Sequence, residues 1–368
     1  MEGKRLQVAV LGAGGTIAPA IVHDLAESDE VGELLLLDLE EARASEVANA
    51  HGAGKARAEE LDARDPTAFT AALEAVDVLV NAASYRINLE AMQACLDAGC
   101  HYLDLGGLYW MTHRQLELGG SFERAGRLAI LGIGSSPGKT NLMALRGVQE
   151  LGGPAGGIES VDVAAASRDP EASDDGRLRP PYAIQTLLDE LTLEPIVIRD
   201  GETVPVAPLT PGGTVDFGDP IGPAETILTL HSEMATFGGS FGCRTGSFRL
   251  SLAGALRQAL QDLLGATPED VERAARESEP QSDQTVSVHM VSVQAQDGRR
   301  CTVRSVTRPH FGMGGSIVST ATPAAAAVRL LARGSLTATG VHPPEGCIDP
   351  HEMFDELSAR GCTITVQA

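Results

Sequence analysis

Basic charge is scarce in this chain and lysine scarcer still. Lysines and arginines together number 28 against 50 aspartates and glutamates in 368 residues, and the only lysines are Lys4, Lys55 and Lys139. The formal charge of −22 repels phosphate backbones, which speaks against a nucleic-acid partner and mildly favours cationic small molecules. Aromatic residues make up 4%, with one tryptophan, Trp110. The six cysteines (Cys95, Cys100, Cys243, Cys301, Cys347, Cys362) form no Cys-x-x-Cys pair and lie near no histidine cluster. That pattern argues against a disulfide framework or a metal site and for reduced thiols in a cytoplasmic protein. No apolar run approaches the roughly 18 residues of a membrane span. MEGKRLQVAVLG leads straight into a strand-like segment rather than a leader peptide, so no membrane role is expected.

What the sequence does have is alternation. LQVAVLG (6–12), ELLLLD (33–38), KARAEELD (55–62), VDVLVNAA (76–83), CHYLDLGG (100–107) and RLAILG (127–132) read as strands. Helical periods separate them: 17–28, 41–52, 66–75, 88–99 and one around 113–125. Near-continuous apolar strands joined by helices predict a parallel sheet covered on both faces, an α/β doubly wound (Rossmann) domain over residues 1–150.

In such sheets ligands bind beyond the carboxyl ends of the strands. The first turn reads Gly12-Ala13-Gly14-Gly15-Thr16-Ile17-Ala18. Its glycines allow a sharp turn and close approach of a pyrophosphate to backbone N–H groups. Ile17 occupies the place of the usual third small residue, a packing role that Ala18 can take one position later. Asp38 ends the second strand, where a carboxylate binds ribose hydroxyls; Leu39, Glu40 and Glu41 follow, with no arginine expected close by. The expected cofactor is therefore NAD, with NADP second. Asp62 and Ala63 after the third strand, Asn81, Ala82, Ala83, Ser84 and Tyr85 after the fourth, and Gly106 after the fifth complete the expected cofactor surface.

GIGSSPGKTNLMALRG (132–147) imitates a phosphate loop. A Walker A motif needs four residues between its first glycine and Gly-Lys-Thr. Counting back from Gly138 gives Ile133, and Pro137 lacks a backbone N–H, so a P-loop ATPase is only a remote reading. The stretch instead predicts a helix start where the free N–H groups of Gly138, Thr140 and Asn141 hold a substrate carboxylate, with Lys139 either reinforcing them or pointing to water.

Several segments together resemble the saccharopine dehydrogenase family, closest to its lysine epsilon-dehydrogenase-like branch: GAGGTIAPAIVHDLA, VDVLVNAASYRINLEAMQACLDAGCHYLDLGG, SSPGKTN, LLDELTLEPIVIRDGETVPV and TATGVHPPE. The resemblance implies a dinucleotide-binding domain interrupted by a second domain, and hydride transfer at a carbon–nitrogen bond through an imine. A small amine or amino acid is then the substrate, lysine-like or saccharopine-like, and a homodimer is expected. Two positions differ from the lysine enzymes: Leu108 follows Gly107 in place of a histidine, and FGCRTGSFRLSLAGALRQ lacks an Arg-Gly-His element. These differences keep a non-catalytic dinucleotide sensor or scaffold as the alternative.

Residues 152–312 turn more polar and alternating, and Asp297-Gly298 between two such runs marks a hairpin. A mixed or antiparallel second domain with a substrate and dimerisation role is expected there. Residues 313–345 should return to the nucleotide domain, and 346–368 should form a C-terminal segment. RDPEASDDGRLRPP (168–181) reads as a solvated acidic loop or a lid. Imine chemistry needs a proton acceptor near neutrality. His231, braced by Glu233 two residues along a strand, leads; Asp104, Lys139 and Tyr182 are further catalytic candidates, and Arg244 would orient substrate.

Overall fold

The structure, a computed structural model, describes residues 5–172, 178–279 and 281–368. Lys4, and the centre of the acidic loop at 173–177, lie outside the described residues. The chain divides into two compact units, Met1–Leu142 with Thr320–Leu357, and Met143–Ser319 with Ser358–Ala368. The boundaries, at 142/143, 319/320 and 357/358, fall inside three helices.

The first unit opens with six strands: β1 (Leu6–Leu11), β2 (Val31–Asp38), β3 (Ala56–Glu60), β4 (Val78–Asn81), β5 (His101–Asp104) and β6 (Leu128–Ile130). The helices that follow them are α1 (Ala18–Ala26), α2 (Glu41–His51), α3 (Pro66–Leu73), α4 (Asn88–Ala98), α5 (Leu108–Leu116) with α6 (Gly119–Arg124), and α7 (Lys139–Glu150). One helix was expected around 113–125; two stand there, separated at Glu117 and Leu118. The second unit contributes β7 (Ile158–Arg168), α8 (Ile184–Thr192), β8 (Ile196–Arg199), β9 (Glu202–Pro205), β10 (Pro211–Asp216) and β11 (Pro223–Leu228). Then come α9 (Glu233–Phe241), β12 (Thr245–Leu250), α10 (Gly254–Asp262), α11 (Pro268–Glu277), β13 (Val286–Ala295) and β14 (Arg300–Thr307). Finally α12 (Gly315–Ala332) leads to β15 (Gly340–His342), α13 (Pro350–Ser358) and β16 (Cys362–Gln367).

The first sheet runs β15-β6-β5-β4-β1-β2-β3, all pairs parallel. Sequence reading missed β15, a three-residue strand inside GVHPPE too short to show a period. Leu34–Leu37 and Val78–Asn81 are buried without alternation, as helices on both faces require. β3, at the edge, carries Arg57, Glu59 and Glu60 instead, and charge discourages further strand pairing there. Asp65 caps α3 by accepting from the N–H groups of Thr67 and Ala68 at 3.0 and 3.1 Å.

Arg329 on α12 is 2% exposed. It donates to Asp24 of α1 at 3.0 and 3.3 Å and to Glu356 of α13 at 2.7 Å, tying three helices of the first unit together. α12 also corrects an expectation: its 18 residues are apolar and long enough to cross a membrane, yet 78% of them are buried. Serines, threonines and a proline among its alanines hide that run in the sequence.

The second sheet has nine strands, with β10-β11-β12-β7-β13-β14-β16 in order and β8 pairing with both β12 and β9. β12 and β7 are parallel and the other pairs antiparallel. The expected hairpin at Asp297-Gly298 joins β13 to β14. Residues 346–368 are no separate segment: α13 falls to the first unit through Leu357, and β16 extends the second sheet.

Candidate active site

At the end of β1 the chain turns through Gly12, whose φ is +74°. A Cβ there would lie 2.7 Å from the Cα of Ala83, so the turns after β1 and β4 touch backbone to backbone. Gly12 and Ala13 donate to the Leu37 carbonyl at 2.8 and 3.2 Å. The N–H of Gly14 donates to Asp38 Oδ2 at 2.8 Å, and that of Glu40 to Asp38 Oδ1 at 3.0 Å. Ala18, fully buried, starts α1 next to Ile17, while Thr16 is exposed. Leu39 leaves 59% of its apolar side chain exposed beside Asp38, a surface on which an adenine could lie. One expectation fails: an arginine does stand close by. Arg43, one turn into α2, donates to the Gly14 carbonyl at 2.7 Å and pairs with Glu40 at 3.7 Å.

Other expected cofactor residues split by setting. Asp62 is held by Arg64 at 2.9 and 3.0 Å on the surface, and Ala63 is buried. Asn81 is buried: its amide donates to Asn88 Oδ1 at 2.9 Å and its carbonyl oxygen accepts from the N–H of Ala83 at 3.1 Å. Ala82 donates to the Leu11 carbonyl at 2.9 Å. Ser84 caps the short turn at Tyr85–Ile87, where the Arg86 guanidinium lies 4.8 Å from the Tyr85 ring centre.

Asp104 is a brace, which corrects its place among catalytic candidates. Gln115 Nε2, Tyr102 Oη and Asn88 Nδ2 donate to Oδ2 at 2.6, 3.0 and 3.2 Å; the N–H groups of Gly132 and Gly106 donate to Oδ1 at 2.6 and 2.9 Å. Burial pushes this carboxyl above its ordinary value against the pull of those donors. Five donors fix α4, α5 and the turns after β5 and β6, and leave no lone pair for a substrate. Asp104→Asn must aim its NH2 at donors in either orientation. It is expected to destabilise the first unit by about 3 kcal/mol, read in urea unfolding; an unchanged midpoint would contradict the brace.

The stretch at 132–147 also departs from expectation. Gly138 N–H donates to Asn141 Oδ1 at 2.8 Å, Lys139 N–H to the Gly134 carbonyl at 2.9 Å and Thr140 N–H to the Ser135 carbonyl at 3.1 Å. Two of the amides expected to hold a carboxylate, those of Gly138 and Thr140, are thus spent inside the turn. The chain doubles back so tightly that a Cβ on Gly138 would lie 2.3 Å from the Gly134 oxygen. Asn141 in turn donates to Glu345 Oε2 at 2.8 Å. Lys139 does not point to water; it is 1% exposed.

The second unit assembles its own polar cluster. His231 and Glu233 lie not on a strand but in the connection after β11 and in the first turn of α9. They meet nonetheless, Nδ1 to Oε2 at 3.1 Å, and the imidazole stacks on Phe248 with ring centres 3.5 Å apart. On the other side Glu190 of α8 brings Oε1 to 3.7 Å from Nε2 and accepts from the Tyr182 hydroxyl through Oε2 at 2.7 Å. Burial pulls the His231 pKa down, but Glu233 by charge and hydrogen bond and Glu190 by charge more than offset it, leaving it raised. Burial raises Glu190 as well, against the opposing pull of His231 and Tyr182. Sequence reading missed Glu190, and α8 gives no warning of it: Ile184, Leu187, Leu188 and Leu191 form the apolar stripe, with Glu190 beside it. Arg244 stays on the surface, bound to Asp200 at 2.9 Å and near Glu159 at 3.8 Å, apart from this cluster. Among the described residues no cluster of His, Cys, Asp and Glu could hold a metal ion.

A parallel sheet in the order 3-2-1-4-5-6 with a glycine turn and a carboxylate at the end of β2 is the arrangement of a dinucleotide-binding domain. Residues 8–130 match the saccharopine dehydrogenase NADP binding domain. The chain is 29% identical over 144 residues to carboxyaminopropylagmatine dehydrogenase of Synechocystis, an overlap of 37% of this chain and 36% of that protein. It therefore spans about a third of the length of the curated relative it matches. Apo saccharopine dehydrogenase (L-Glu forming) from Saccharomyces cerevisiae superposes with a TM-score of 0.70 at 16% identity, covering 99% of this chain and 100% of the yeast chain. Residues 8–130 thus resemble a saccharopine dehydrogenase-type dinucleotide-binding domain, and the chain shares the fold of the yeast saccharopine dehydrogenase.

Proposed function

We propose that this protein is a nicotinamide-dinucleotide-dependent oxidoreductase acting on the carbon–nitrogen bond of an amino acid or related amine, with NAD preferred. The observation that carries the reading is the Gly14–Asp38 contact at 2.8 Å, which sets a carboxylate at the end of β2 against the glycine turn. The first turn supports pyrophosphate binding by its glycines, and Asp38 supports ribose recognition through its hydroxyls. Arg43 opposes NADP discrimination less than its position suggests, because Glu40 faces its charge and Gly14 takes one of its N–H groups. A bound nicotinamide would exchange the hydride. A net charge of −22 favours a cationic amine as substrate.

The test is steady-state turnover with NAD and with NADP on lysine, saccharopine and amine conjugates that include carboxyaminopropylagmatine, together with imine reduction. Turnover on any of them supports the reading. Tight NADH binding with silence across the whole panel would sink it in favour of a dinucleotide sensor.

A further inference from the structure

Two carboxylates share one imidazole in the second unit: Glu233 at 3.1 Å from Nδ1 and Glu190 at 3.7 Å from Nε2, both 3% exposed or less. Keeping both ionised around one cation would leave uncompensated charge in a buried place, which favours a proton on one of them. Position decides which. Glu233 stands in the first turn of α9, where the helix dipole favours an anion, and it makes the direct hydrogen bond to the imidazole. Glu190 stands in the last turn of α8, where the dipole opposes an anion, with Asp189 beside it on the same helix. Its remaining partner is Tyr182, which precedes α8 and is the least buried of the four.

We propose that Glu190, not His231, is the proton-exchanging group of this cluster, and that His231 and Glu233 form a fixed ion pair that positions it. The proton is exchanged through Tyr182: protonated Glu190 passes its proton from Oε2 to the phenol oxygen while the phenol releases its own proton outward, so one proton leaves and the ionised carboxylate accepts the phenol's hydrogen bond at Oε2. Reversal of the same steps returns it. Tyr182, His231, Glu233 and Asp189 are the charged or titratable groups that face Glu190, and Phe248 of β12 covers the far side of the imidazole. This assignment rests on the proposed dehydrogenase reading only for its use in turnover.

The experiment reads the protein without substrate or dinucleotide. Infrared difference spectra across neutral pH should show the carbonyl band of a protonated carboxyl that Glu190→Gln removes. Proton-detected nitrogen NMR, with the resonance assigned by His231→Asn, should find His231 cationic on both sides of neutrality in the wild type. A His231 that titrates near the ordinary imidazole value, or a carboxyl band that survives Glu190→Gln, overturns the assignment. In turnover, Glu190→Gln should lower kcat about 100-fold with little change in KM and flatten the acidic limb of the pH profile. An unchanged profile also overturns it. A silent substrate panel with the infrared and NMR results intact overturns the proposed reaction and leaves the Glu190 assignment standing.

Discussion

Arg329→Met is expected to lower the melting temperature by about 10 °C. The guanidinium is fully enclosed, and three carboxylate contacts at 2.7–3.3 Å join it to Asp24 and Glu356. Methionine fills similar space but leaves Asp24, 3% exposed, as a buried carboxylate without its cation. Breaking a buried pair from one side costs about 3–5 kcal/mol, and each kcal/mol moves the melting point of a domain this size by roughly 2–4 °C. Replacing Asp24 by leucine in the same variant should restore part of the loss, because it removes the stranded charge. Differential scanning calorimetry of the two variants decides it. A single variant that melts with the wild type would show that α1, α12 and α13 are held by apolar contact alone.

Gly12→Ala should weaken dinucleotide binding by about 100-fold. At φ +74° a side chain is strained, which costs about 1–2 kcal/mol by itself. The new methyl would also sit 2.7 Å from the Ala83 Cα and 2.8 Å from its nitrogen, neither of which is the movable end of a side chain. The turns after β1 and β4 must separate, and both line the expected cofactor surface. Together these effects reach about 3 kcal/mol, or two decades of affinity. Calorimetric titration with NADH against the wild type reads the loss, and circular dichroism confirms that the sheet persists. Affinity within a factor of about two of wild type would show that the β1 turn does not hold the cofactor.

The first domain was legible because its physics is local. Leu34–Leu37 and Val78–Asn81 are apolar without alternation, a pattern that a parallel sheet covered on both faces imposes on single strands. The glycine turn and Asp38 carry the cofactor reading for the same reason: 24 residues apart in sequence, each ends a strand that could be located from its own residues. What escaped depends on distance in sequence. Asp104 looks like a loop carboxylate until Gln115 and the Gly132 amide arrive from other elements to fill it. The amides at Lys139 and Thr140 look free until the chain doubles back on Gly134 and Ser135, and that of Gly138 until Asn141 turns its side-chain oxygen to it. Glu190 approaches His231 across 41 residues, from a helix whose apolar stripe does not announce it. His231 and Glu233 paired as expected, though a loop and a helix start brought them together rather than the two-residue repeat of a strand.

Nicotinamide binding by the first unit is the central claim, and Trp110 offers a direct reporter. Its indole is 59% exposed, with Tyr109 packed edge-on at 4.7 Å. NADH and NADPH should be titrated separately while its emission is followed for quenching and energy transfer to the reduced nicotinamide. The expected result is saturable binding of both, with NADH about tenfold or more the tighter because Asp38, Glu40 and Glu41 oppose an added phosphate. NADPH binding as tight as NADH would mean that Arg43 leaves Gly14 for the phosphate, and would overturn the preference for NAD. Binding of neither would contradict the cofactor and, with it, the proposed reaction.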